Sequence, residues 1–168
     1  APVIGMHIAL DLISIACLYQ IALRLFPRGR AVGILSGLAY AFYPYLIFQN
    51  MTLIDTALFM ALLHGFALAI VLLVQHPRGL DRRGWLYAVG AGVLLGLMAL
   101  TRTNAVLFAF GAAIWAWVMT DLPTAIRRLL PVALASALVV APWIVRSSAL
   151  HGTFVPIALN GGENFYQG

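Results

Sequence analysis

The sequence predicts an all-α integral membrane protein, a bundle of about six transmembrane helices. Three observations carry that reading. Hydrophobic residues make up 63% of the chain against 9% charged, and mean hydropathy is +0.98, far more apolar surface than a soluble core requires. The apolar residues fall in long runs separated by short polar turns. One run, Gly84 to Thr120, is too long for a single crossing: at about 1.5 Å of rise per residue it would reach roughly 55 Å, against a hydrocarbon core of about 30 Å. As one helix it would also hold Arg102 near the bilayer centre, at a cost of roughly 2.5–3.5 kcal/mol on insertion scales. Two spans meeting at Thr101-Arg102-Thr103-Asn104 remove both problems and set Arg102 at a membrane surface.

In chain order, the first span is expected from about Val3 to Leu25, closing on a short basic loop with Arg24, Arg28 and Arg30. A second, about Ala31 to Phe48, ends in Tyr40, Phe42, Tyr43, Tyr45 and Phe48, rings that suit the headgroup level, and Pro44 is expected to kink or end it there. A third runs from just after Thr52 to about Val74 and stops at a loop with Arg78, Arg82 and Arg83. The fourth and fifth, about Trp85 to Leu100 and Ala105 to Met119, flank Arg102. After Asp121 to Arg128, a sixth span from about Leu129 to Val145 delivers Arg146 to the opposite surface. Residues 1–146 thus form a transmembrane core, and 147–168 begin an extracytoplasmic loop or domain. The chain starts at Ala1 without an initiator Met and reads as an internal piece of a longer protein.

Charge orients the bundle. The net charge of +5 comes from ten Arg and no Lys, set against four Asp and one Glu. Six alternating spans put eight of the Arg on one side and leave only Arg102 and Arg146 on the other. The eight-Arg side is then cytoplasmic, and both chain ends face outward. In a membrane protein this basic excess reports topology, so no nucleic-acid partner is expected. Cys17 lies within an apolar run and reads as a small buried hydrophobe. Gly33 with Gly37 and Gly92 with Gly96 are small residues one helical turn apart, suited to close helix approach.

Functional chemistry is sought among polar groups on the side that the charge rule empties: Asn50, Asp55, Arg102, Asn104, Arg146 and the tail. A guanidinium offers a fixed fork of donors to phosphate, and a lipid phosphate sits at that depth. Each arginine also has a plain reading. Arg102 snorkels or bonds the free carbonyls ending the fourth span, and Arg146 follows Trp143 as an interfacial anchor. Asp55 either favours the positive start of the third helix or faces an outward cavity, where it would bind a metal, a sugar hydroxyl or an accessory cation. His64, nine residues on, points away from Asp55 and reads as a buried polar contact. His7 and Asp11 share one face of the first span, either lining the outward cavity or neutralising an intramembrane charge by pairing.

The tail, from Ala141-Pro142-Trp143-Ile144-Val145-Arg146 through Gly152-Thr153-Phe154-Val155-Pro156-Ile157 to Asn160-Gly161-Gly162-Glu163-Asn164 and Gly168, resembles a pattern of bacterial family 39-like glycosyltransferases. That pattern reads P-W-x-x-R-N…G-x-F-V-P-I-x-x-N-G-G-x-N-x-x-x-G. These enzymes belong to the GT-C superfamily, with dolichyl-phosphate-mannose protein mannosyltransferases and aminoarabinose transferases as relatives. Tyr43-Pro44-Tyr45-Leu46-Ile47-Phe48 followed by Asp55, and Gly92 to Asn104, are similar to two further stretches of the family. The resemblance implies a GT-C type transmembrane core in the bacterial cytoplasmic membrane. It further implies transfer of a sugar from a polyprenyl-phosphate donor, usually with inversion, to a lipid, protein or glycan acceptor outside the cytoplasm. Arg102, Arg146, Asn104, Asn160 and Glu163 are the expected donor-binding residues, and Asp55 an accessory acid. Cofactor use, including a divalent metal, stays open.

The chain departs from the family pattern at Ser147, where Asn is usual. Relatives carry the catalytic base in an outer loop after their first span, a region expected to lie outside this chain, so no base is assigned here. Two other classes fit parts of the pattern. A secondary transporter would use broken helices near the midplane, but should show paired halves; in a non-catalytic membrane scaffold the outward polar groups would be incidental.

Overall fold

The computed structural model describes residues 2–51, 55–77 and 79–154, and every regular element among them is helical. In order these are α1 (Pro2–Leu25), α2 (Gly29–Ala41), α3 (Pro44–Met51), α4 (Thr56–Gln75), α5 (Arg82–Thr101), a single 3-10 turn (Thr103–Ala105), α6 (Val106–Met119) and α7 (Leu122–His151). The chain is an all-α bundle, as expected. Four helices, α1, α4, α5 and α7, are long and apolar enough to cross a membrane by length and composition. The expected six crossings therefore divide into four full-length helices and two short ones. Pro44 breaks the second segment after Ala41, leaving 13 residues in α2, and the turn after Arg102 leaves 14 in α6. At about 1.5 Å per residue these reach only about 20 Å.

Close approach of backbones sets the register. On α2 an added Cβ at Gly29 would come 2.6 Å from the Ala22 carbonyl oxygen, one at Gly33 2.6 Å from the Tyr19 ring, and one at Gly37 3.1 Å from Ile15. The α1 partners fall in number as those of α2 rise, so the pair is antiparallel. On α5 the partners rise together: Gly92 meets Ala135 and Gly96 meets Val139, so α5 and α7 are parallel with α6 returning beside them. Lipid tails are as apolar as the side chains they would replace, so such small-residue contacts, not water exclusion, hold helices together here. Leu73 and Met98 are wholly enclosed, with Phe66, Ile70, Ala88, Ala91 and Val132 in the same core. Leu12, Leu107 and Leu138 point outward, where a bilayer would meet them.

At the basic end, side chains close the helices. Asp81 starts α5 by accepting from the backbone N–H groups of Arg83 and Gly84, each at 2.9 Å, and its Oδ1 meets His76 Nε2 at 2.8 Å. Arg128 donates to the carbonyls of Leu73 (3.1 Å), Val74 and His76 (3.1 Å), and so caps the C-terminal end of α4. Gln75 donates to the Arg24 carbonyl at 3.3 Å, tying the end of α4 to the end of α1.

Helix α7 differs from expectation at both ends. It starts at Leu122, not near Leu129, because Asp121 accepts from the Thr124 N–H at 3.0 Å and Pro123 sits in the first turn, a cap-and-proline start. Arg127 and Arg128 thus belong to the helix instead of a loop. It also runs past Arg146 to His151, whose Nδ1 donates to the Ser147 carbonyl at 2.8 Å, and stops at Gly152 in the left-handed region (φ 64). Pro131 and Pro142 lie inside the helix without ending it.

Candidate functional site

The opposite end of the bundle is built around Arg102. Helix α5 stops where Arg102 turns extended (φ −143, ψ 123), after Thr101 has turned its hydroxyl back onto the Met98 carbonyl at 2.7 Å. The Arg102 carbonyl accepts from Ala105 N–H at 3.0 Å, closing the hairpin tip. Its side chain reaches across to the start of α4. There Nε donates to Asp55 Oδ2 at 3.3 Å, while Nη2 donates to Asp55 Oδ1 at 3.1 Å and to Thr56 Oγ1 at 3.0 Å. The Phe59 ring covers one face of the guanidinium, 5.2 Å from Cζ to centroid. Thr56 in turn donates to Gln49 Oε1 on α3 at 3.3 Å.

This geometry pairs the two residues. The Arg102 backbone N–H bonds the Met98 carbonyl in the last turn of α5, whereas its side chain forms a forked ion pair with a residue 47 positions away. Asp55 stands just before α4 but its side chain makes no cap hydrogen bond there. The Arg102 hydrogen bond holds the Asp55 carboxyl below its ordinary pKa, and Asp55 raises that of Arg102. Three of the five N–H donors of Arg102 are used, which leaves the two on Nη1 without a partner among the described residues.

Arg102, Thr56 and Ser36 line a cavity of about 650 Å³ whose other walls are apolar or aromatic: Leu18, Ala39, Leu46, Phe59 and Met60, with Tyr40, Tyr43 and Tyr45. Tyr40 forms its deeper wall. Its hydroxyl donates to Asp11 Oδ1 at 3.0 Å and its ring meets His64 edge to face at 5.5 Å. His64 is half-buried, and the contact it makes with Tyr40 is one of ring against ring. Asp11 engages Tyr40, and His7 is buried one turn away on α1.

The remaining expected site residues are placed more loosely. Asn104 is exposed at the hairpin tip beside Arg102. Arg146 is exposed on α7 and makes no hydrogen bond or ion pair among the described residues. Carried forward by equal numbers of residues, the parallel register of α5 and α7 brings Arg102 level with the turn of α7 that holds Arg146, so both stand at the same end of the bundle. The side chain of Asn50, and Asn160 and Glu163 entirely, lie outside the described residues. Among the described residues no three His, Cys, Asp or Glu side chains gather to hold a metal ion. Thr56, Phe59, Gln49 and Tyr40 were not singled out as functional in the sequence. The one signal for the first two is their place in the first turn of the helix that follows Asp55, three residues apart and so on one face of it.

Together these features define a class: a multi-pass helical membrane protein with a paired guanidinium at the end of the bundle away from its basic loops. The family model described as Dolichyl-phosphate-mannose-protein mannosyltransferase matches residues 1–145, and the chain belongs to that family of membrane glycosyltransferases. The match stops at residue 145, so it takes in only the start of the Ala141 to Gly168 tail and membership rests on the helical core. No curated protein and no solved structure matches the chain.

Proposed function

We propose that this chain forms part of the transmembrane core of an enzyme that takes a sugar from a polyprenyl-phosphate donor and passes it, with inversion, to a lipid, protein or glycan acceptor. The reaction face is the extracytoplasmic side of a bacterial cytoplasmic membrane. One observation carries the reading: Arg102, whose Nη1 has no partner among the described residues, lines a cavity whose walls are mainly apolar and aromatic. A phosphate on an isoprenoid chain has the matching character, an anionic head on an apolar body. Arg102 takes one phosphate oxygen through Nη1, and Arg146, whose charge no carboxylate offsets among the described residues, supplies the second cationic contact. Asn104 adds an uncharged donor at the tip; Asn160 and Glu163 are assigned to the donor site on the tail motif alone.

Asp55 has an accessory role. A general base works best with a pKa near the working pH, whereas the hydrogen bond from Arg102 moves the Asp55 carboxyl the other way. Its task is to hold Arg102. A transporter reading gains nothing from the fold, because the interruption at Arg102 is a hairpin tip between helices, not an unwound stretch inside one.

The test is sugar transfer from a polyprenyl-phosphate-linked donor by the full-length protein in membranes. Arg102→Ala and Arg146→Ala are each expected to lower transfer at least tenfold, about 1.4 kcal/mol of lost interaction. Transfer undiminished in both would remove the donor-phosphate assignment.

A further inference from the structure

The first turn of α4 fixes the guanidinium of Arg102 from three directions. Asp55 takes Nε and one Nη2 proton, Thr56 takes the other, and Phe59 covers a face. The ion pair alone leaves play. Both of its side chains are more than a third exposed, and an exposed fork is weak and free to pivot. Thr56 differs, being only 7% exposed and bound at both ends. A guanidinium can only donate, so Thr56 Oγ1 accepts from Nη2, and its own proton goes to Gln49 Oε1 at 3.3 Å. The relay thus runs from Arg102 through Thr56 to Gln49.

We propose that Thr56, held by Gln49 of α3, is a positioning residue that fixes the rotation of the Arg102 guanidinium so that Nη1 alone is presented to an anion. This rests on the donor-phosphate reading of Arg102 and names what makes that contact directional. The relay also fastens α3, the short helix after Pro44, to the same guanidinium, so that α3 must be seated for Nη1 to be aimed.

The experiment measures binding of undecaprenyl phosphate, with uncharged undecaprenol as the control, to the full-length protein in detergent micelles. Thr56→Val keeps the side-chain shape and removes the hydroxyl. It is expected to weaken undecaprenyl phosphate binding roughly fivefold to tenfold, the scale of one lost hydrogen bond, and to leave undecaprenol unchanged. Thr56→Ser keeps the relay and is expected to bind as the parent does. Gln49→Leu leaves the buried start of α4 intact and is expected to weaken phosphate binding roughly twofold to fivefold, so the test stands even if Thr56→Val fails to accumulate. A general packing effect would weaken both lipids alike and would overturn the proposal. So would phosphate binding at parental strength in Gln49→Leu, or in Thr56→Val, while Arg102→Ala has lost it. Undiminished binding in Arg102→Ala would instead overturn the donor-phosphate reading itself.

Discussion

At the scale of single residues, the Arg102–Asp55 pair is the chemistry this chain can be held to. A carboxylate whose pKa is depressed in the fold stabilises above its unfolded value, about 3.9, and that contribution disappears as pH falls through the folded value. Asp55 is such a group. Wild type is therefore expected to melt above Asp55→Asn across neutral pH, by no more than about 1 kcal/mol because the pair is exposed. The two curves should start to converge as pH falls below about 4 and merge only below the depressed folded value of Asp55, which thermal unfolding in detergent at a series of pH values will read. Both residues stood out in the sequence as polar groups at a membrane surface. Their pairing did not, because nothing in a linear pattern says which helix end meets which across 47 positions. Thr56 and Gln49 were missed for another reason: a threonine and a glutamine at a helix boundary are unremarkable until a guanidinium lies between them.

At the scale of helices, small residues govern. A Cβ at Gly96 would lie 2.7 Å from Val139 Cβ, whereas one at Gly90 would meet nothing within 4 Å. Gly96→Leu is accordingly expected to cost about 1–3 kcal/mol by forcing α5 from α7. Gly90→Ala on the same helix should be neutral or stabilising by up to about 1 kcal/mol. Melting temperatures of the two variants measured side by side distinguish packing at the contact from a general effect of replacing glycine. Arg128→Met should loosen the end of α4 by about 1–3 kcal/mol, since up to three carbonyls lose a charged donor; amide exchange over Leu72 to Gln75 is the direct readout. The apolar runs made the helices legible, and the four-residue glycine spacing marked where they touch. The ends were less so. The basic Arg127-Arg128 looks like a loop, yet Asp121 and Pro123 had already started the helix, and one of those arginines serves as a cap for its neighbour.

At the scale of the molecule, the two ends of the bundle carry different chemistry. One gathers Arg24, Arg82, Arg83, Arg127 and Arg128 around capped helix ends; the other offers Arg102, Asp55 and Arg146 beside aromatic rings. With Cys17 replaced by Ser, single cysteines at Asn104 and Leu150 are expected to react with an impermeant thiol reagent applied outside the cell, and one at Arg82 only after permeabilisation. Reaction of the first two on different sides would separate the two arginines and end the shared-site proposal. Charge asymmetry made this polarity readable from sequence, since it depends on counting and not on contacts. The cavity was not readable, because its walls come from α1, α2, α3, α4 and the tip after α5, which only folding assembles.

The glycine seam between α5 and α7 carries one more implication. Two parallel rods locked at mid-height behave as a single caliper, and each of the two arginines is mounted on one jaw. Their separation is therefore set half a bilayer away from where it is used: a slip of one residue along the seam would raise one tip by about 1.5 Å relative to the other. On the proposed donor-phosphate reading, altering Gly92 should for that reason change how tightly the phosphate is held without touching either arginine.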